Sequence, residues 1–208
     1  MIPFENTSAI IEFTRIYLAV FYTAVALFYT VRIITAKKNT HSELVFLGQP
    51  FCSHWWNHIT FRLFRALIWL TCVIRLFFPS LDEYLGIIAI FEHNLMLILG
   101  NVLLTVGFLM TIIIHFSMKQ KWRSGVDPQG PKALITDGFF KHSRNPIFVS
   151  VGLSQLGFFL ALPSIFTLVC LIIGLYTLYK QTIVEEQHLV TIFQDNYKIY
   201  QSNVRRWI

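Results

Sequence analysis

From residue 95 to residue 116 the chain runs from Leu-Met-Leu-Ile-Leu-Gly to Ile-Ile-His-Phe without one Asp, Glu, Lys or Arg. A run of that length covers the ~20 apolar residues that carry a helix through a ~30 Å hydrocarbon core. The rest of the chain repeats the theme, with 55% hydrophobic and only 13% charged residues against about 25% charged in a soluble domain. So few charges cannot solvate a water-borne body. An aromatic content of 16% excludes disorder, and three cysteines exclude a disulfide-built scaffold. The chain reads as an integral membrane protein.

Four more apolar runs accompany that one. Residues 10–34 are apolar except for Glu12, Arg15 and Arg32 near the ends; no basic n-region precedes them, so this span is expected to be retained rather than cleaved. A polar segment, 36–60, carries Lys37, Lys38, His41, Glu43 and Trp55-Trp56, and suits the headgroup layer together with Arg62 and Arg65. A second span covers 61–78. A short acidic connection follows, with Asp82, Glu83 and Glu92. Gly100 and Gly107 share a face of the 95–116 helix, where another helix can approach closely.

Residues 118–145 form the largest polar stretch, with Lys119, Lys121, Arg123, Asp127, Pro128, Gly130 and Pro131 favouring turns. Two shorter runs, 146–162 and 165–179, separated by Pro163-Ser164, read as a helical hairpin, with Asn145 as N-cap and Pro146 at the first helical position. Glu185, Glu186, Leu189, Phe193, Tyr197, Tyr200 and Val204 keep a three- and four-residue spacing, so one helix is expected to leave the membrane carrying the glutamates. The expected fold is all-α: about five transmembrane helices, a C-terminal helical hairpin and a cytoplasmic amphipathic tail helix. Two regions follow, 1–118 with three spans and an interfacial loop (36–60), and 119–208 with loop, hairpin and tail.

The net charge of +6 could suggest a nucleic-acid binder. Its distribution argues for membrane orientation instead. With the N-terminus outside and five spans, all of the 17 Lys and Arg except Arg15 and Arg75 fall on the cytoplasmic side. No nucleic-acid partner is expected.

Ionisable groups at a membrane boundary are costly unless they have a partner or a task. Two sets concentrate at one end of the hairpin: Phe140, Lys141, His142, Ser143, Arg144 and Asn145 leading into it, and Glu185-Glu186 leaving it, followed by Tyr197 and Tyr200. A cationic helix start facing carboxylates and aromatic rings suits a ligand with both charges, such as S-adenosylmethionine: carboxylate to Arg, cationic groups to Glu, adenine between rings. The same pattern could also be a snorkelling Arg with glutamates on a solvated helix face.

These motifs resemble the integral membrane methyltransferases that include isoprenylcysteine carboxyl methyltransferase and the phospholipid N-methyltransferases. The family pattern Gly-x-Tyr/Phe-x3-Arg-His-Pro-x-Tyr is met at Gly138, Phe140, Arg144 and Pro146. Its Glu-Glu-x2-Leu-x3-Phe-Gly-x2-Tyr-x2-Tyr-x3-Val-Pro-Arg is met at Glu185, Glu186, Leu189, Phe193, Tyr197, Tyr200, Val204 and Arg206. The resemblance spans about residues 119–206. It implies S-adenosylmethionine as cofactor and a lipophilic or lipidated acceptor arriving from the bilayer. Arg144, Glu185 and Glu186 would be the catalytic residues; Phe140, His142, Asn145, Pro146, Phe148, Tyr197, Tyr200 and Arg206 would surround the cofactor.

The departures carry chemistry. Asn145 stands where the family has His, Phe148 for Tyr, Gln194 for Gly and Arg205 for Pro. An Asn cannot serve as general base. A carboxylate acceptor is already ionised and needs alignment rather than a base; an amine acceptor would need His142 or a glutamate to take its proton. This tilts the acceptor toward an anion.

Other classes fit less well. No Gly-x-Gly occurs, which excludes a dinucleotide-type fingerprint. Cys52, His54 and His58 have the spacing of no familiar zinc framework, and no metal is expected. A sterol-type reductase using NADPH shares the hairpin and tail but generally has more spans. A transporter or scaffold would place charges mid-span, where the last three spans have none.

Overall fold

A computed structural model describes residues 7–40, 45–118, 124–127 and 130–208. Lys119, Lys121, Arg123, Pro128, His41 and Glu43 from the two polar loops lie outside them, as does the placement of the Lys37 side chain. Five long helices form the body: α1 (Thr7–Thr40), α2 (Ser53–Phe77), α3 (Asn94–Ser117), α4 (Pro146–Ala161) and α5 (Ile165–Phe193). A short α6 (Asp195–Asn203) follows. The protein is all-α apart from a two-residue parallel pairing of β1 (Val45–Phe46) with β2 (Ser124–Gly125).

Among the described residues three helices are long and apolar enough to cross a membrane: α1 over Thr7–Thr35, α3 and α5. At 1.5 Å per residue the 16 residues of α4 reach about 24 Å, short of a ~30 Å core, and α2 carries Arg62, Arg65 and Arg75. These two helices complete the body by packing against the longer ones. Large apolar side chains on the periphery, among them Val20, Leu27, Leu63, Val102, Leu109 and Ile172, remain exposed, as a lipid-facing surface requires.

The closest packing joins α3 to α4. A Cβ on Gly100 would stand 2.2 Å from the Ala161 backbone N, and one on Gly107 would stand 2.7 Å from the Ser150 carbonyl O. The glycine face read from sequence is therefore where α4 lies, backbone against backbone. One turn further on, the Thr111 and Ser150 hydroxyls meet at 2.7 Å, and both residues are buried.

The α4–α5 turn is set by Pro163 and by Ser164, whose hydroxyl accepts from the Thr167 amide at 3.2 Å while the Thr167 hydroxyl accepts from the Ser164 amide. Such reciprocal caps stabilise a helix start by about 1 kcal/mol. The 86–88 loop pairs with this turn through Ile88 N–H to Pro163 O and Ile165 N–H to Gly86 O, each 2.8 Å. Close by, Asp82 accepts from Arg15 at 2.9 Å and from Arg75 at 3.1 Å. The two cations that the charge distribution set apart thus meet at one end of the bundle, opposite the start of α4.

One expectation needs correcting. The periodic pattern from Glu185 to Val204 predicts one helix, yet α5 stops at Phe193 and the chain turns at Gln194, with φ 47° and ψ −120°. Tyr197 and Tyr200 keep helical spacing because α6 is itself a helix. The turn folds that helix back over the site.

Candidate active site

The start of α4 and the end of α5 come together as the hairpin reading implied. Glu186 on α5 is the centre. Its carboxylate accepts from Arg144 Nε at 3.2 Å and Nη2 at 3.3 Å, from Asn145 Nδ2 at 3.0 Å, and from Arg206 Nη2 at 3.0 Å. The Arg144 and Glu186 side chains are only 7% and 6% exposed, whereas Arg206 is 35% exposed. A buried carboxylate of this kind tolerates desolvation because two guanidinium groups and an amide fill its lone pairs.

Arg144 also binds the tail backbone. Its Nη1 donates to Gln201 O at 2.9 Å and Val204 O at 3.3 Å, and its backbone N–H donates to Arg205 O at 2.9 Å. Carbonyls at the last turn of α6, which have no partner inside the helix, are capped by this side chain. A guanidinium has five N–H donors; Nε, both on Nη1 and one on Nη2 are engaged, leaving one. Asn145 occupies the N-cap position of α4, but its side chain makes no cap. It donates to Glu186 and, at 3.2 Å, to Arg206 O. Ser143 adds a hydroxyl donor to Arg206 O at 3.3 Å.

Glu185 behaves differently from its neighbour. Among the described residues its recorded partner is Gln181, whose Nε2 donates at 2.8 Å. Tyr197 is 1% exposed, packs edge-on against Tyr200 at 5.8 Å, and has its phenol pushed up by burial and then by the Glu186 charge. Tyr200 donates to Phe140 O at 2.7 Å, and burial pushes its phenol up to about 12. Both tyrosines stay neutral donors at any physiological pH.

Two cavities flank this network. The larger, about 290 Å³, lies among the helices and is lined by Pro146, Phe148, Val151 and Leu178 on one side and by α2 on the other. The smaller, about 160 Å³, lies under Leu134 and Ile135 and is closed by Glu186, Leu189, Tyr197 and Tyr200. Met118, Gly125, Phe140, Arg144, Asn145 and Glu185 line both, so one wall serves two chambers.

The residues singled out in the sequence divide accordingly. Phe140, Arg144, Asn145 and Glu185 stand on the shared wall; Pro146 and Phe148 face the larger chamber; Glu186, Tyr197 and Tyr200 face the smaller. His142 is exposed and lines neither, and Arg206 lines neither but holds Glu186. Asn57, His58, Arg62 and Arg65 of α2, together with Tyr29 and His115, also line the larger chamber and were not among the sequence candidates. A usable signal existed: Arg62 and Arg65 are three apart and share a helix face. Cys52, His54 and His58 make no common site. Cys52 accepts the Trp55 amide as helix cap, His54 Nε2 lies 3.0 Å from Phe46 O, and the two histidine rings stack edge-on at 4.6 Å.

No curated protein and no solved structure gives a match to the chain. A family model does: residues 95–196 match that of the phospholipid methyltransferases, a membrane methyltransferase family acting on lipid-type substrates. The match begins at α3 and ends in α6, so it contains the hairpin, Arg144, Glu185 and Glu186 and leaves α1 and α2 outside. Over this segment, just under half of its length, the chain is similar to the phospholipid methyltransferase family.

Proposed function

We propose that the protein transfers a methyl group from S-adenosylmethionine to a lipid or lipid-attached acceptor. The observation that carries the reading is the wall shared by two chambers. One lies among the helices, between α2 and the α4–α5 hairpin; the other lies under Leu134 and Ile135 and against α6. Two substrates held on either side of one wall can be brought into contact without mixing with water.

The donor set suits the cofactor. Glu185, with no cation partner among the described residues, is available to a sulfonium or ammonium group. The remaining N–H of Arg144 is available to a carboxylate, and Leu134, Leu189, Tyr197 and Tyr200 provide apolar and aromatic surface for a nucleoside. When bound, S-adenosylmethionine supplies an already activated methyl group on a cationic sulfur. Glu185 then places negative charge beside that cation, and Asn145 and Arg144 keep the wall rigid through Glu186. An anionic acceptor needs no base. For an amine acceptor Glu185 is the proton acceptor the geometry favours, because His142 lies outside both chambers.

The site end is assigned to the cytoplasmic face. Supporting this are the cations, which gather there, while Arg15 and Arg75 meet at the far end on Asp82. Calorimetric titration of the full chain in detergent tests the cofactor: saturable binding of S-adenosylmethionine and S-adenosylhomocysteine is expected. Binding of NADPH with neither of these would overturn it. Arg144→Ala and Glu185→Gln should each weaken binding or turnover, while His54→Ala should leave both intact.

A further inference from the structure

The larger chamber has a second polar region, on α2, that the methyl-transfer reading does not use. Asn57 is 9% exposed, and its Nδ2 makes no hydrogen bond among the described residues. The next residue, His58, has a buried Nε2 that is likewise without a partner. One and two turns further along α2, Arg62 and Arg65 line the same chamber, and no carboxylate pairs with either among the described residues. Arg65 has its Cζ 4.6 Å from the Tyr29 ring centroid, a cation–π contact that uses the face of its guanidinium and no N–H acceptor. Burying an amide N–H without an acceptor is costly, while Arg62 and Arg65 are exposed at the chamber's edge and can reach an anion that enters it. Among the described residues lining the chamber the one carboxylate is Glu185, which stands on the α5 side and accepts from Gln181.

We propose that Asn57, Arg62 and Arg65 form an oxyanion subsite that holds the phosphate or carboxylate of an amphiphile, with its hydrocarbon chain along Phe61, Phe148 and Val151. A guanidinium pair on adjacent turns offers fork-shaped donors to such an oxyanion, and the buried amide supplies a third. The apolar lining accounts for the chain, so the ligand is a lipid anion rather than a free one. Only the naming of this ligand as the acceptor rests on the methyltransferase reading; the subsite is defined by α2, outside the family-matched segment.

The test is calorimetric titration of the full chain in dodecyl maltoside, with no methyl donor present. Dodecyl phosphate is the probe, with inorganic phosphate and dodecyltrimethylammonium as comparisons. Dodecyl phosphate should bind saturably, and the Arg62→Gln/Arg65→Gln double variant should bind it about tenfold more weakly or worse. The corresponding double Lys variant should recover part of the loss, and Arg205→Gln, with a single charge removed elsewhere, should bind like the parent. Asn57→Leu guards against misfolding: removing an unsatisfied buried donor should leave the melting temperature unchanged or raise it while anion affinity falls several-fold.

Equal affinity for inorganic phosphate or for dodecyltrimethylammonium would overturn the lipid anion. Undiminished dodecyl phosphate binding in the Gln double variant would overturn the arginines. Loss of S-adenosylmethionine binding with this subsite intact would fall on the methyl-transfer reading alone.

Discussion

Replacing Glu186 by Gln preserves volume and removes one charge, and its effect follows from the bonds at that carboxylate. Arg144, 7% exposed, would lose its counter-ion and keep only the carbonyls of Gln201 and Val204. One end of the new amide would also present N–H groups to guanidinium donors. Breaking a buried pair by removing one partner costs about 3–5 kcal/mol. Arg206 adds little, since at 35% exposure water replaces much of what it loses. The lower end of the range, about 3 kcal/mol, is expected; for a chain of this size that lowers the melting temperature by about 6–12 °C. The assay is labelling of the free, buried Cys72 and Cys170 by a thiol-reactive fluorophore during a thermal ramp in detergent. In parallel, trypsin should cut at Lys198 and Arg205 at temperatures where the parent resists. Glu185→Gln is the control, because it removes a neighbouring charge that no cation holds. A Glu186→Gln protein with parental melting and a protected tail would refute the idea that this network closes the site.

Other consequences are measurable. Gly100→Ala should destabilise by about 1–3 kcal/mol, because the added methyl meets the Ala161 backbone at 2.2 Å, whereas Gly152→Ala meets only Leu175 Cδ2 at 3.5 Å and should melt like the parent. Gln194→Gly should raise stability by about 1 kcal/mol, since φ 47° with ψ −120° is a region open to glycine and strained for Gln; an unchanged or lower melting temperature would contradict that account. At Asp82, burial alone would raise the carboxyl, but hydrogen bonds and charge from Arg75 and Arg15 outweigh it and hold it below its ordinary value. Its contribution is therefore complete above the unfolded value of about 4 and is lost as pH falls through the lower folded one. Acid melts should show this loss in the parent and a flatter profile in Asp82→Asn.

The bilayer helices were legible because hydrocarbon imposes a length and excludes charge, so α1, α3 and α5 announce themselves. Gly100 and Gly107 showed a close-packing face but not its partner, since any helix of suitable shape could lie there. The pairing of the α4 start with Glu186 was legible from the return of the hairpin. Which glutamate would be neutralised was not, because adjacent residues on a helix point about 100° apart and only the packed structure says which faces the arginines. The turn at Gln194 was hidden by a non-glycine residue in a glycine conformation, with helical spacing resuming beyond it. The α2 donors were hidden for another reason: an Asn and two Arg beside paired tryptophans look like headgroup anchors until the fold sets them around a cavity.

The peptide groups of Gln201, Val204, Arg205 and Arg206 are acceptors for Ser143, Arg144 and Asn145. They are translated after both arms of the hairpin. Threading of the helices through the insertion machinery and assembly of the shared wall are therefore separate events in time. During synthesis there is an interval in which the spans are already embedded but Arg144 has neither tail carbonyl to cap.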